Sequence, residues 1–182
     1  METQTPTTAA KMEPVKITIT LPTNAYFMSG IRDFTLTMIK NMTNFSEQWA
    51  YRFQSVVDEL CNNAIEHGSS QKNEIKVTFI NYPGESLEIM VEDSGTGTQK
   101  IKGAELQKLV DERTKPGYPF HEIRGRGLAK IVAAWTDELQ FTDLPTGGLC
   151  VRVKKFLTVP VPAGMPSTSP TLLTPPRVVL TV

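Results

Sequence analysis

The run Asp58-Glu59-Leu60-Cys61-Asn62-Asn63-Ala64-Ile65-Glu66-His67-Gly68 decides how the rest of the chain is read. Glu59, Asn63 and His67 stand four residues apart, so on a helix they stack along one face, with Asn62 and Glu66 flanking them. Val56, Val57, Leu60, Cys61, Ala64 and Ile65 supply apolar stripes beside that face. A carboxylate one turn ahead of an amide suits a phosphate–metal site. The amide oxygen ligates hard Mg²⁺, and the carboxylate accepts a proton or orients a nucleophile. A solvated helix face is the ordinary reading of the segment taken alone.

Upstream, Val15 to Leu21 alternates apolar and polar residues as a half-buried strand does. The Pro22-Thr23-Asn24 cluster ends it, and Phe27, Ile31, Phe34, Met38 and Ile39 recur at helical spacing between Tyr26 and Met42. Ser46 followed by Glu47 opens a longer helix expected to reach His67, with Gly68 as its stop. Downstream, Glu74 to Tyr82 and Leu87 to Glu92 read as a hairpin closed by Pro83-Gly84-Glu85-Ser86. A long functional loop follows, with one short helix candidate at Ala104 to Glu112. Gly127 to Trp135 reads as a helix, and Glu138 to Phe141 and Leu149 to Phe156 as strands joined through Pro145-Thr146-Gly147-Gly148. The element order predicts an α/β fold, a two-layer sandwich whose mixed, largely antiparallel sheet carries its helices on one face.

Two further clusters carry chemistry. Glu92-Asp93-Ser94-Gly95-Thr96-Gly97 is an acid followed by alternating glycines at a strand end. Asp93 there suits the exocyclic amine of adenine, although an Asp/Gly turn is the commoner reason for such a pattern. Arg124-Gly125-Arg126-Gly127-Leu128 stands at a helix entry, where free N–H groups attract anions and arginines add charge-assisted donors. Alone, it reads as a solvated basic turn.

Taken in order, an acid–amide helix, a strand-end D-x-G-x-G and a G-x-G helix entry resemble the N box and two glycine boxes of the gyrase/histidine-kinase (GHKL) ATPase superfamily. The resemblance spans roughly Val15 to Lys155 and implies its Bergerat-type ATP-binding fold. It makes Asn63 the Mg²⁺ ligand, Glu59 the catalytic carboxylate and Asp93 the adenine-amino acceptor, with Gly95 and Gly97 lining the base pocket. Gly125 and Gly127 would hold the triphosphate of ATP, with Arg124, Arg126 and Leu128 completing the nucleotide-binding set, beneath a lid of about residues 98–124. His67 ends the N-box helix, where a hydrogen bond to backbone is expected rather than catalysis. The sequence departs from the pattern twice. Gly147-Gly148-Leu149-Cys150 has no hydroxyl where the superfamily often has a Gly-Thr pair, and Arg124 and Arg126 both stand near the position of the lid arginine.

The chain has only His67 and His121, no phospho-acceptor helical hairpin and no length for a transducer domain. It is therefore most similar to stand-alone anti-sigma-factor serine/threonine kinases of partner-switching systems. That resemblance implies a protein that uses Mg·ATP to phosphorylate a small antagonist (anti-anti-sigma) protein on serine and that sequesters a sigma factor. The alternative is an ATP-binding regulatory module that sequesters a partner without kinase activity.

Composition agrees with a soluble domain. Of 182 residues, 40% are hydrophobic and 21% charged, and nineteen bases balance nineteen acids. A net charge of zero gives no general pull toward nucleic acid or an acidic membrane. The opening METQTPTTAAKMEP has no signal or transit pattern, and no apolar run is long enough for a bilayer, so a cytoplasmic location is expected. Cys61 and Cys150 lack metal-ligand spacing and read as small core residues. Residues 1–13 read as a flexible arm, residues 14–157 as the ATPase domain and residues 158–182 as a Pro-rich tail. Six of the thirteen prolines fall between Pro160 and Pro176, and the β-branched end Arg177 to Val182 is expected to pack on the protein or on a homodimer mate.

Overall fold

The structure is a computed structural model that describes residues 12–97, 102–115 and 127–157. Among the described residues five strands form one sheet: β1 (Val15–Pro22), β2 (Glu74–Tyr82), β3 (Ser86–Glu92), β4 (Glu138–Asp143) and β5 (Leu149–Phe156), in the order β1-β2-β3-β5-β4. Every pairing among them is antiparallel, so the expected largely antiparallel sheet has no parallel pair here. β5 lies between β3 and β4. That order carries the end of β3 to the start of β5, where Glu92 pairs with Cys150.

Alternation decides the two faces. Ile75, Val77 and Phe79 of β2, Leu87, Ile89 and Val91 of β3, Leu139 of β4 and Val153 of β5 are all buried on the inward face. Helices α1 (Met28–Met42) and α2 (Glu47–Asn63) cover it. On α1 the buried residues Met28, Ile31, Thr35, Met38 and Ile39 recur every third or fourth position. Phe34 packs on Phe79 with ring centroids 5.5 Å apart. On α2, Ala50, Phe53, Val56, Val57, Leu60 and Cys61 do the same, each large side chain contributing about 1.5–3 kcal/mol by leaving water. An Arg32–Asp58 ion pair at 2.7 Å ties the two helices on their outer side.

The outward face is polar. Thr18 and Thr78 share a hydrogen bond at 3.0 Å, and Arg152 bridges Glu88 (2.6 Å) and Glu138 (3.1 Å). Cys150 has the parity of Arg152, so it lies on this face and is half-buried, whereas the sequence suggested a core cysteine; Cys61 is fully buried.

Several elements differ in form from expectation. The long helix is α-helical only to Asn63 and continues as a wider π-helical turn over Ala64–Gly68. Gly68 does not end it through a left-handed conformation; the extended Ser69 does. The helix expected at residues 127–135 is likewise a π-helical turn over Leu128–Val132 followed by α4 (Ala133–Trp135). Such widened turns often mark sites where backbone meets a ligand. Within the expected lid, α3 (Gly103–Arg113) is a packed helix, its first N–H held by the Asp143 carboxylate at 3.1 Å. The remainder of that lid, the 1–11 part of the arm and the tail at 158–182 lie outside the described residues.

Candidate functional site

One face of α2 and its π-helical extension, the ends of β3 and β4, the start of β5, and α3 enclose a cavity of about 730 Å³. Glu59, Asn63 and His67 all line it, as their four-residue spacing requires, and Asn62 and Glu66 do not. The helix therefore presents to the cavity the face that carries the carboxylate and the amide.

Asn63 Nδ2 donates to Glu59 Oε1 at 2.9 Å. Because a carboxylate only accepts, this bond fixes the amide with nitrogen toward Glu59 and leaves its oxygen for a cation. Gly127 closes against the same carboxylate: a Cβ there would overlap the Glu59 carboxyl group. Leu128 and Ala129 follow it into the cavity wall. Arg124, Gly125 and Arg126 lie outside the described residues.

At the other end, Asp93 leaves β3 with its backbone N–H on Leu149 O at 3.0 Å. Its Oδ1 accepts from Gly95 N (2.8 Å) and Leu149 N (3.1 Å). Oδ2 has no such partner among the described residues. It faces Gly68, where a Cβ would overlap it, so only glycine at 68 lets the helix end come this close. Burial raises the Asp93 carboxyl above its ordinary value, and the N–H donors of Gly95 and Leu149 offset part of that rise. One oxygen fixed by backbone and one left free is the arrangement expected of an acceptor for a ligand amine.

The turn after Asp93 carries the other predicted base-pocket residues. Gly95 lines the cavity with φ +66°, in the left-handed region. Gly97 sits beneath the helix end, its N–H donating to Gly68 O at 3.1 Å, and does not itself line the cavity, contrary to expectation. Gly147 and Gly148 also line the cavity. The hydroxyl missing after Gly148 has a neighbour on the other side, since Thr146 of the same turn lines the cavity.

His67 makes no hydrogen bond to a described backbone group, contrary to expectation. Its ring is about half exposed, with Nε2 3.9 Å from the Glu66 carboxylate. It lines the cavity from within the π-helical turn.

The sequence reading did not find one whole wall. Leu106, Leu109, Val110 and Arg113 of α3 line the cavity at spacings of three and four, with Lys102 just ahead of them. Leu60, Val91, Leu149 and Val151 face them across it, so the middle is apolar and the ends are polar, which suits a flat base attached to a charged chain. The helical repeat within 104–112 was the available signal for that wall. Among the described residues, no three His, Cys, Asp or Glu side chains gather into a site that would hold a metal by themselves. Asn63 offers a single protein oxygen, which fits Mg²⁺ held mainly by phosphate oxygens and water.

Residues 22–155 match the family model of the histidine kinase-like ATPase domain. A comparison with curated proteins finds no match for the chain.

Proposed function

The chain belongs to the histidine kinase-like ATPase domain family, and on that premise we propose that it is an anti-sigma-factor serine/threonine kinase using Mg·ATP. The observation that carries the reading is the pairing of Glu59 with Asn63 under the close approach of Gly127. This brings the Glu59 carboxylate, the Asn63 amide and Gly127 together toward one end of the cavity, with Asp93 at the other, which supports the reading.

In this reading Asp93 Oδ2 accepts from the adenine amine, and the apolar walls from Leu60 to Leu109 enclose the base. Mg²⁺, when bound, neutralises charge on the phosphates. Asn63 would hold it through the amide oxygen, beside Glu59 and the close approach of Gly127. Glu59 takes the proton of the attacking serine hydroxyl. The serine oxygen bonds to the γ-phosphorus as the bond to the β–γ bridging oxygen breaks, and ADP leaves. The substrate is a small antagonist protein and the sequestered partner a sigma factor, both carried by the resemblance of the chain to stand-alone kinases of that kind. A cytoplasmic site of action accords with this; among the described residues, no helix is long and apolar enough to cross a membrane.

The test is incubation with γ-labelled ATP and candidate antagonist proteins. Label on an antagonist serine, lost in Glu59→Ala, is the expected result. Tight ATP binding with no transfer to any antagonist would replace the kinase with the alternative, a nucleotide-dependent module that only sequesters its partner.

A further inference from the structure

Behind the Asp93 end of the cavity lies a cluster of hydroxyl and amide side chains that the reaction does not use. Ser69, Ser70, Asn73, Ser94 and Thr96 join the end of the N-box helix to the glycine turn, and none of the five lines the cavity. We propose that Thr96 is a positioning residue for nucleotide-base selection, acting through this cluster to hold Asp93 against the helix end.

The hydrogen bonds give the cluster a direction. Thr96 Oγ1 accepts from Ser70 N at 3.1 Å and from Asn73 Nδ2, which fills its two acceptor positions. Ser94 Oγ donates to Ser69 Oγ at 3.0 Å, so its own hydrogen is used. The Thr96 hydrogen therefore goes to Ser94 Oγ at 2.7 Å in preference to Ser70 Oγ at 3.3 Å. Ser69 Oγ also accepts from Ser94 N at 3.0 Å, which anchors the peptide directly after Asp93. A chain thus runs from Asn73 through Thr96 and Ser94 to Ser69, each bond polarising the next. Thr23 holds its base by donating to the carbonyls of Ser70 (2.7 Å) and Asn73 (3.0 Å).

This clamp faces one group. Leu149 N and Gly95 N fix Asp93 Oδ1, and the Oδ2 side meets Gly68, one residue before Ser69. If the turn slides relative to the helix end, Oδ2 moves relative to the base edge while Asn63, about one turn earlier on the helix, and Glu59, a further turn back, stay where they are. Loss of the clamp should therefore degrade discrimination between bases more than binding of the phosphate chain. The inference rests on the proposed role of Asp93 in reading adenine.

The test measures the affinities of the full chain for ATP and for GTP, each with Mg²⁺, by calorimetry. Thr96→Val keeps the shape of the side chain and removes its hydrogen bonds; the position is exposed, so the fold is not at risk. The ATP-over-GTP preference should fall about fivefold or more, as for the loss of one to two ordinary hydrogen bonds. Thr96→Ser should keep it. Asn73→Ala, which weakens the same oxygen from outside the turn, should reproduce the fall. In an Asp93→Asn background, Thr96→Val should add no further loss of preference. An unchanged preference in Thr96→Val, or an equal weakening of ATP and GTP, would overturn the proposal while leaving Asp93 as the base reader. Wild-type protein that binds ATP and GTP equally would instead remove the Asp93 reading itself, and this inference with it.

Discussion

Asn63 Nδ2 donates to Glu59 Oε1 at 2.9 Å across one helical turn, and this bond decides which end of the amide faces the cavity. Asn63→Ala should leave the fold intact and abolish the Mg²⁺-dependent part of ATP binding, so that affinities in Mg²⁺ and in EDTA become equal. Asn63→Asp keeps an oxygen ligand but sets two carboxylates side by side, and it should bind Mg·ATP more weakly than wild type. Calorimetry with and without chelator reads both. Wild-type affinity in Asn63→Ala would remove the metal assignment.

Gly127 and Glu59 separate binding from chemistry. Glu59→Ala should still bind ATP and lose turnover by about a hundredfold or more, as for a missing general base. Gly127→Ala forces a methyl into the space of the Glu59 carboxyl group, so it should also depress turnover through displacement of that group. Single-turnover transfer of labelled phosphate measures both variants. Full activity in Glu59→Ala would assign the proton transfer to another group.

Asp93 gives a pH signature. Burial raises its carboxyl in the folded chain above the ordinary value of 3.8, so the folded state binds the proton more tightly than the unfolded state. Its favourable contribution is complete below the unfolded value and is lost as pH rises through the raised folded value. Asp93→Asn keeps a carbonyl for the N–H groups of Gly95 and Leu149 and cannot ionise. Its stability relative to wild type should therefore rise across that window and level off above it, as measured by urea unfolding at several pH values. The same variant should bind ATP about tenfold more weakly, because an amide donor then meets the adenine amine donor.

Arg152 tests the outward face. The Glu88 side chain is 8% exposed and its ion pair with Arg152 is 2.6 Å long. Arg152→Met leaves that carboxylate buried without its partner and should cost about 3 kcal/mol, whereas Glu88→Gln combined with Arg152→Met should recover much of the loss. Denaturant midpoints give both numbers. ATP affinity should not change, since neither residue lines the cavity.

Truncation after Leu157 tests the boundary of the domain. The last described backbone bond runs from Leu157 N to Glu85 O at 2.8 Å, and the described residues that line the cavity all precede it. The shortened chain should bind ATP with nearly unchanged affinity, and its self-association should differ from that of the full chain in analytical ultracentrifugation. Loss of nucleotide binding would make residues 158–182 part of the ATPase core.

Much of this architecture is local, and the sequence alone determined that part. Alternation in VKITITL and EIKVTFINY, the helical repeat of α1 and α2, and the turns at Gly84 and Gly147 each depend on neighbours a few residues away. The same holds for the face of Glu59, Asn63 and His67, which the pitch of a helix fixes without reference to the rest of the chain. Asp93 at a strand end belongs to this class as well. The tertiary structure decided what those pieces meet. Pairing of β3 with β5 rather than β4 sets Asp93 on Leu149, and the packing of the turn at Leu128 sets Gly127 on Glu59. Packing of α3 on β4 turns Leu106 and Val110 into a wall of the cavity. Side-chain alternation names the buried face of a strand but not its neighbour, and glycine at 68 or 127 shows its purpose only when another side chain occupies the space a Cβ would need.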